Sequence, residues 1–142
     1  MASPHLRSCT TRPPTLPAYR FITAFVTVFA TAIAITKDLP DVEGDRQHGI
    51  ETFATRLGVR RISWLGTGLL LANYVGAVVA AAALPGAFNV AVMVPAHLVL
   101  AGALVFQTLK LDAAGHTAPA IAAYYRFVWN LFYAEYALLP WI

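Results

Sequence analysis

Residues 62–109 read ISWLGTGLLLANYVGAVVAAAALPGAFNVAVMVPAHLVLAGALVFQTL, 48 consecutive positions without one Asp, Glu, Lys or Arg. A bilayer core is crossed by about 20 apolar residues rising 1.5 Å each, so this run is long enough for two spans and a connection. The connection shows as Leu84-Pro85-Gly86-Ala87-Phe88-Asn89, where Pro and Gly interrupt the apolar pattern.

The same reading extends in both directions. Upstream, Phe21 to Thr36 (FITAFVTVFATAIAIT) is charge-free for 16 residues, and Tyr19 and Arg20 can lengthen it at the interface, where aromatic and basic side chains sit comfortably. Downstream, residues 110–120 form a polar connection with Lys110, Asp112, Gly115, His116 and Pro119. Residues 121–142 (IAAYYRFVWNLFYAEYALLPWI) are a fourth apolar segment, interrupted by Arg126 and Glu135. The expectation is an all-α, polytopic transmembrane bundle of about four spans. Composition agrees: of 142 residues 58% are hydrophobic and 12% charged, about half the charged fraction of a soluble domain. A cytosolic enzyme and a disordered tail are excluded on those grounds. The single cysteine, Cys9, excludes a disulfide framework and a cysteine-rich zinc module.

Charge is placed unevenly. Residues 1–18 (MASPHLRSCTTRPPTLPA) are rich in Ser, Thr, Pro and Arg, hold no acid, and read as a disordered leader or a transit-like segment. Pro13, Pro14 and Pro17 argue against a regular helix there. The membrane domain is expected over 19–142. Arg7, Arg12 and Arg20 account for the net charge of +3, so no basic patch remains to track a nucleic acid, and no nucleic-acid partner is expected.

The remaining charge concentrates in residues 37–61, which carry five cations (Lys37, Arg46, Arg56, Arg60, Arg61) and five acids (Asp38, Asp41, Glu43, Asp45, Glu51). Burying so many charges in lipid is too costly, so this is a loop with polar helix ends. The first span and the 110–120 connection put this loop and that connection on one side, and Pro85-Gly86 on the other. The side rich in Lys and Arg is the cytoplasmic one or its stromal or matrix equivalent.

Asp38, Asp41 and Asp45 stand at i, i+3 and i+7. They share one face if the first span continues as a helix through them; Pro40 and Gly44 favour a distorted helix end equally well. Clustered carboxylates at a membrane boundary repel one another, and a divalent cation offsets that. Hard oxygen ligands suit Mg²⁺, which takes one or two carboxylates, keeps water, and adds substrate phosphate oxygens. An EF-hand begun at Asp41 fails, because its sixth position is Arg46 and its twelfth Thr52. Arg46 and Arg56 can hold diphosphate oxygens through forked hydrogen bonds. Gly49 permits a turn, and Phe53 to Leu57 suit a short interfacial helix ending at Gly58. The bland alternatives are a solvated loop of paired charges and, for Arg56, Arg60 and Arg61, simple headgroup anchoring.

The string KDLPDVEGDRQHGIETFATRLGVRR (residues 37–61) resembles the second aspartate-rich motif of the UbiA-type intramembrane prenyltransferases. More narrowly it is similar to the plant and algal homogentisate prenyltransferases. The stretches VPAHLVLAGALVFQT (94–108) and YYRFVWNLFYAEYALLPWI (124–142) are most similar to the members that transfer a solanesyl group. The resemblance implies a nine-helix membrane enzyme that binds a polyprenyl diphosphate, solanesyl or phytyl, through Mg²⁺. Ionisation gives an allylic cation that an aromatic acceptor attacks; for homogentisate, CO₂ is lost. The motif's D-x-x-x-D falls on Asp41 and Asp45, implied as catalytic and, with Asp38, as metal ligands. Lys37, Arg46 and Arg56 are the candidate diphosphate-binding residues, by charge and proximity rather than by the motif. A plastid membrane is the implied location.

The family's first aspartate-rich motif has no counterpart, since the only acids outside 37–61 are Asp112 and Glu135. The chain is therefore expected to correspond to the C-terminal half of such an enzyme. The alternative reading is a catalytically incomplete fragment or a non-enzymatic, ion-binding membrane module.

His97, flanked by apolar residues, is expected to be hydrogen-bonded within the bundle rather than to act as ligand or base. Arg126, Asn130 and Tyr133 share one face of the last segment, and Tyr125, Trp129, Phe132 and Tyr136 form a second stripe. That stripe either lines a prenyl cavity, stabilising a cation through its rings, or packs as ordinary bundle core; packing is favoured. Arg126 and Glu135 are out of phase on one helix, so each needs a partner elsewhere.

Overall fold

In a computed structural model, described for residues 15–142, the chain is a bundle of four long helices. They are α1 (Leu16–Thr36), α4 (Val59–Ala83), α5 (Val90–Ala113) and α6 (Ala118–Leu138). Two short helices, α2 (Val42–Gln47) and α3 (Phe53–Leu57), lie between α1 and α4, and a 3₁₀ turn (Leu139–Trp141) follows α6. No strand occurs among the described residues. Cross-helix pairs fix an up-down-up-down order: Asn73 of α4 reaches the Phe25 carbonyl of α1, Trp64 reaches Asp112, and His97 reaches Glu135.

The buried positions recur every three or four residues: Phe25, Phe29, Ala32 and Thr36 on α1, and Ile121, Tyr124, Val128, Leu131 and Glu135 on α6. The opposite faces stay apolar and exposed, as with Val75, Val99 and Phe106, which is the pattern of helices solvated by lipid rather than water. α1, α4 and α5 are long and apolar enough to cross a membrane. α6, at 21 residues, matches them in length, but its Arg126, Asn130 and Glu135 keep it below that apolarity. Hydroxyls in α1 are satisfied locally: Thr23, Thr27 and Thr31 donate to the carbonyls four residues back at 2.9, 2.7 and 2.8 Å.

One expectation is corrected and one open choice is resolved. α1 begins at Leu16, inside the stretch assigned to the leader, and includes Pro17 in its first turn. A missing N–H costs nothing there, and the fixed φ suits a helix start. The rest of the leader, residues 1–14, lies outside the described residues. Of the two readings of the aspartate stretch, the helix end is the one observed: α1 stops at Thr36. The chain then turns through residues 37–41, with Leu39 and Asp41 donating to the Thr36 and Asp38 carbonyls at 3.1 and 3.3 Å. The charged segment is less of a loop than its composition suggests, because Leu39, Val42 and Ala54 are buried against the end of the bundle.

Candidate active site

The charged segment is built from three local devices. α2 starts after Asp41 and closes at His48, with Gly49 in the left-handed region at φ +67°. α3 is held by a capping box, in which the Thr52 hydroxyl accepts from the Thr55 N–H and the Thr55 hydroxyl from the Thr52 N–H, at 3.2 and 2.8 Å. α3 ends at Gly58, whose φ of +88° lets the chain turn into α4. The short helix Phe53–Leu57 and its glycine stop are where the sequence puts them. Phe53 and Leu57 are exposed on it and Ile50 just before it, as befits a helix resting at a membrane interface.

Lys37, Asp38 and Arg56 line one recess, with Ala34, Glu51, Thr52 and Phe53. Lys37 Nζ lies 3.8 Å from Asp38 Oδ1. Glu51 is the residue that sequence reasoning gave no role; nothing local marks it, because it reaches the recess only through the turn at Gly49. The recess holds two cations and two carboxylates and is formally neutral.

Asp41 and Asp45 stand apart from that recess, one helical turn from each other at the start of α2, with the Asp45 N–H donating to the Asp41 carbonyl at 2.8 Å. Asp41 is exposed and Asp45 half-buried, and neither carboxylate takes a hydrogen bond or ion pair among the described residues. Arg46 is exposed in the last turn of α2 and does not line the recess. The structure thus brings Lys37, Asp38 and Arg56 together and keeps Asp41 and Asp45 as a separate pair beside them.

Among the described residues no group of three or more His, Cys, Asp or Glu side chains is close enough to hold a metal ion by itself. A divalent cation of the magnesium kind does not need such a cage. It is bound by one or two carboxylates, water and substrate phosphate oxygens. The free oxygens of Asp41 and Asp45, with Asp38 beside them in its loose pair with Lys37, are hard donors of that type, so the residues present fit such an ion.

Deeper in the bundle, His97 and Glu135 account for each other. His97 Nδ1 donates to the Met93 carbonyl at 2.6 Å, and Nε2 meets Glu135 Oε2 at 3.2 Å. Glu135 is therefore paired with α5, and His97 is a core histidine. The aromatic stripe of α6 stacks on itself and on α1, as in Phe132 against Phe29 and Tyr136 at 5.4 and 4.9 Å between ring centres. The crevice left between α1, α5 and α6 is about 20 Å³, room for roughly one water. Phe132 and Tyr136 pack around that crevice, while Tyr125 and Trp129 line a wider recess on the outer side of α5 and α6.

A model of the UbiA prenyltransferase family matches residues 7–131. Over 122 residues the chain is 60% identical to a homogentisate solanesyltransferase, chloroplastic, of Arabidopsis thaliana, covering 86% of this chain and 32% of that protein. It is 61% identical over 122 residues to a probable homogentisate phytyltransferase 2, chloroplastic, of Oryza sativa subsp. japonica, with the same shares. It is 47% identical over 126 residues to a 2-acylphloroglucinol 4-prenyltransferase, chloroplastic, of Humulus lupulus, covering 89% of this chain and 31% of that protein. The chain spans about a third of the length of the curated relatives it matches. No solved structure matches it significantly.

Proposed function

The chain belongs to the UbiA prenyltransferase family, and from that premise we propose that it carries the second aspartate-rich half of a diphosphate site for prenyl transfer to an aromatic acceptor. The observation that carries the reading is the pair Asp41 and Asp45, with free carboxylate oxygens at the polar end of a membrane bundle, beside a recess lined by Lys37, Asp38 and Arg56. The substrates are a polyprenyl diphosphate, solanesyl or phytyl, and homogentisate, and the membrane is that of a plastid; the names of the relatives support both.

Asp38, Asp41 and Asp45 would hold Mg²⁺, which when bound neutralises charge on the departing diphosphate. The chain's own contribution is positional. Lys37 and Arg56 flank the recess and present donors to phosphate oxygens, and Arg46, the next residue after Asp45, adds positive charge beside the pair. The neutral recess explains why a cation is needed: its two carboxylates cancel the attraction its two cations would exert on a diphosphate. Exposed Phe53 and Leu57 set the segment at the level where an amphiphilic substrate presents its head.

The test uses the chain alone and fused behind the N-terminal two thirds of the Arabidopsis relative, in vesicles with homogentisate, solanesyl or phytyl diphosphate, and Mg²⁺. Prenylated, decarboxylated product is expected from the fusion. Asp41→Ala and Asp45→Ala each lower it by roughly 100-fold, the scale of losing one electrostatic group at a reacting centre. Equal activity in Asp41→Ala, Asp45→Ala and the parent removes the reading. Product from the fusion with none from the chain alone identifies the chain as a catalytically incomplete part.

A further inference from the structure

The outer side of α5 and α6, facing away from α1, carries a groove that the proposed chemistry does not use. On α5 it follows Val92, Ala96, Val99, Ala103, Gln107 and Lys110, spaced by three and four residues. On α6 it follows Ala123, Phe127, Asn130, Ala134 and Ala137 with the same spacing, and Trp141 of the 3₁₀ turn continues it. Such spacing keeps one face in line along the whole of each helix. Side chains of this stripe line a recess toward each end of the helix pair, so the two recesses lie in line on one face.

Its two ends differ in chemistry. Toward the 110–117 connection it is lined by Gln107, Lys110, Arg126 and Asn130, with the rings of Tyr125 and Trp129. No acid lines it, and neither Lys110 nor Arg126 forms an ion pair among the described residues. Toward the other end it is lined by Val99, Leu100, Ala134, Ala137 and Leu138, where the alanines leave the groove open. Arg126 lies about 12 Å down α6 from Ala118, within reach of the interface for a long side chain. An exposed arginine that reaches the headgroup level attracts an anion there.

We propose that this groove binds an anionic phospholipid, the phosphate held between Lys110 and Arg126 and an acyl chain lying along Val99, Ala134 and Ala137. Charge complementarity selects the occupant: two unpaired cations with an acid-free lining ask for an anion, and the apolar half below them asks for a chain. The cationic end lies on the same side as Lys37, Arg56, Arg60 and Arg61, where anionic headgroups attract basic side chains. Tyr125 and Trp129 at that end are residues of the headgroup level.

The test is native mass spectrometry of the full chain released from vesicles of equimolar phosphatidylglycerol and phosphatidylcholine. One phosphatidylglycerol is expected to stay bound in preference to phosphatidylcholine. Arg126→Gln and Lys110→Gln each reduce its retention about fivefold, while Arg126→Lys keeps most of it. Ala137→Trp, which leaves the charges intact and fills the apolar half, also reduces it; circular dichroism confirms unchanged helix content in each variant. Equal retention of the two lipids overturns the proposal, as does undiminished retention in Lys110→Gln/Arg126→Gln. Displacement by inorganic phosphate at the same concentration makes the site a soluble-anion surface and overturns it too. So does a photo-cross-linker at Val99 that captures polypeptide rather than lipid in the fusion protein.

Discussion

Glu135 and His97 show what a single buried polar pair does in an apolar bundle. Glu135 is 8% exposed and His97 1%, so neither can find water, and each is the other's nearest remedy. Glu135 Oε1 and the Tyr74 hydroxyl have no partner among the described residues, although both are buried. The pair therefore orients α5 against α6 more than it stabilises them. Interhelical hydrogen bonds in membranes are worth about 1–2 kcal/mol at most, because the unfolded helices also find partners. Glu135→Leu is expected to cost about that much, since it strands the His97 Nε2. Glu135→Gln keeps an acceptor and costs less, and His97→Leu/Glu135→Leu recovers part of the loss. A double-mutant cycle on unfolding in mixed micelles reads these differences; strict additivity of the two single changes would show that the pair is not coupled.

At the scale of elements, the crossing of α1 and α4 depends on one missing methyl group. A Cβ on Gly66 would sit 2.5 Å from the Thr36 Cγ2 and 3.5 Å from the Tyr124 hydroxyl, whereas one on Gly68 meets nothing within 4 Å. Thr36 cannot yield, being fully buried and bonded through its hydroxyl to the Ala32 carbonyl at 2.8 Å. Gly66→Ala should therefore destabilise the bundle by about 1–3 kcal/mol through overpacking, a loss that exceeds the gain of up to about 1 kcal/mol from helix propensity. Gly68→Ala takes only the gain. Thermal unfolding in detergent separates them, and equal melting temperatures would refute the close approach. Neither glycine stands out in the sequence, and the reason applies more widely. Spans, the Pro85-Gly86 turn and the Phe53–Leu57 helix are legible because each is a matter of local composition and punctuation. The pairing of Glu135 with His97 and the entry of Glu51 into the recess depend on helix rotation and on a turn. No local pattern encodes those. The start of α1 was hidden for a third reason: Pro17 breaks a helix interior but suits its first turn.

For the whole molecule, an even number of crossings puts the aspartate segment and the 113–117 connection at one end, and the 84–89 turn at the other. The second end is closed on itself, with the Asn89 N–H donating to the Ile142 carbonyl at 2.9 Å. The first is tied by Asp112, which accepts from Trp64 Nε1 and His116 Nε2, both at 2.8 Å, with Arg60 at 3.9 Å. Single cysteines at Glu43 and Gly115, in a Cys9→Ser background, are expected to react with a membrane-impermeant maleimide from the same side, and one at Gly86 only from the opposite side. Labelling of Glu43→Cys and Gly86→Cys from one side would contradict the topology. Between these ends α4, α5 and α6 meet at three hydroxyls. Thr67 contacts Thr108 at 2.8 Å and Tyr124 at 2.9 Å, Thr108 also reaches the Leu104 carbonyl at 2.8 Å, and Tyr124 the Ser63 carbonyl at 2.8 Å. Each hydroxyl owns one proton, so three protons serve four contacts, and one contact is empty at every instant. When Thr108 and Tyr124 both point at carbonyls, Thr67 can satisfy only one of them. The joint between the three helices is one proton short, so packing rather than a closed ring of hydrogen bonds holds it.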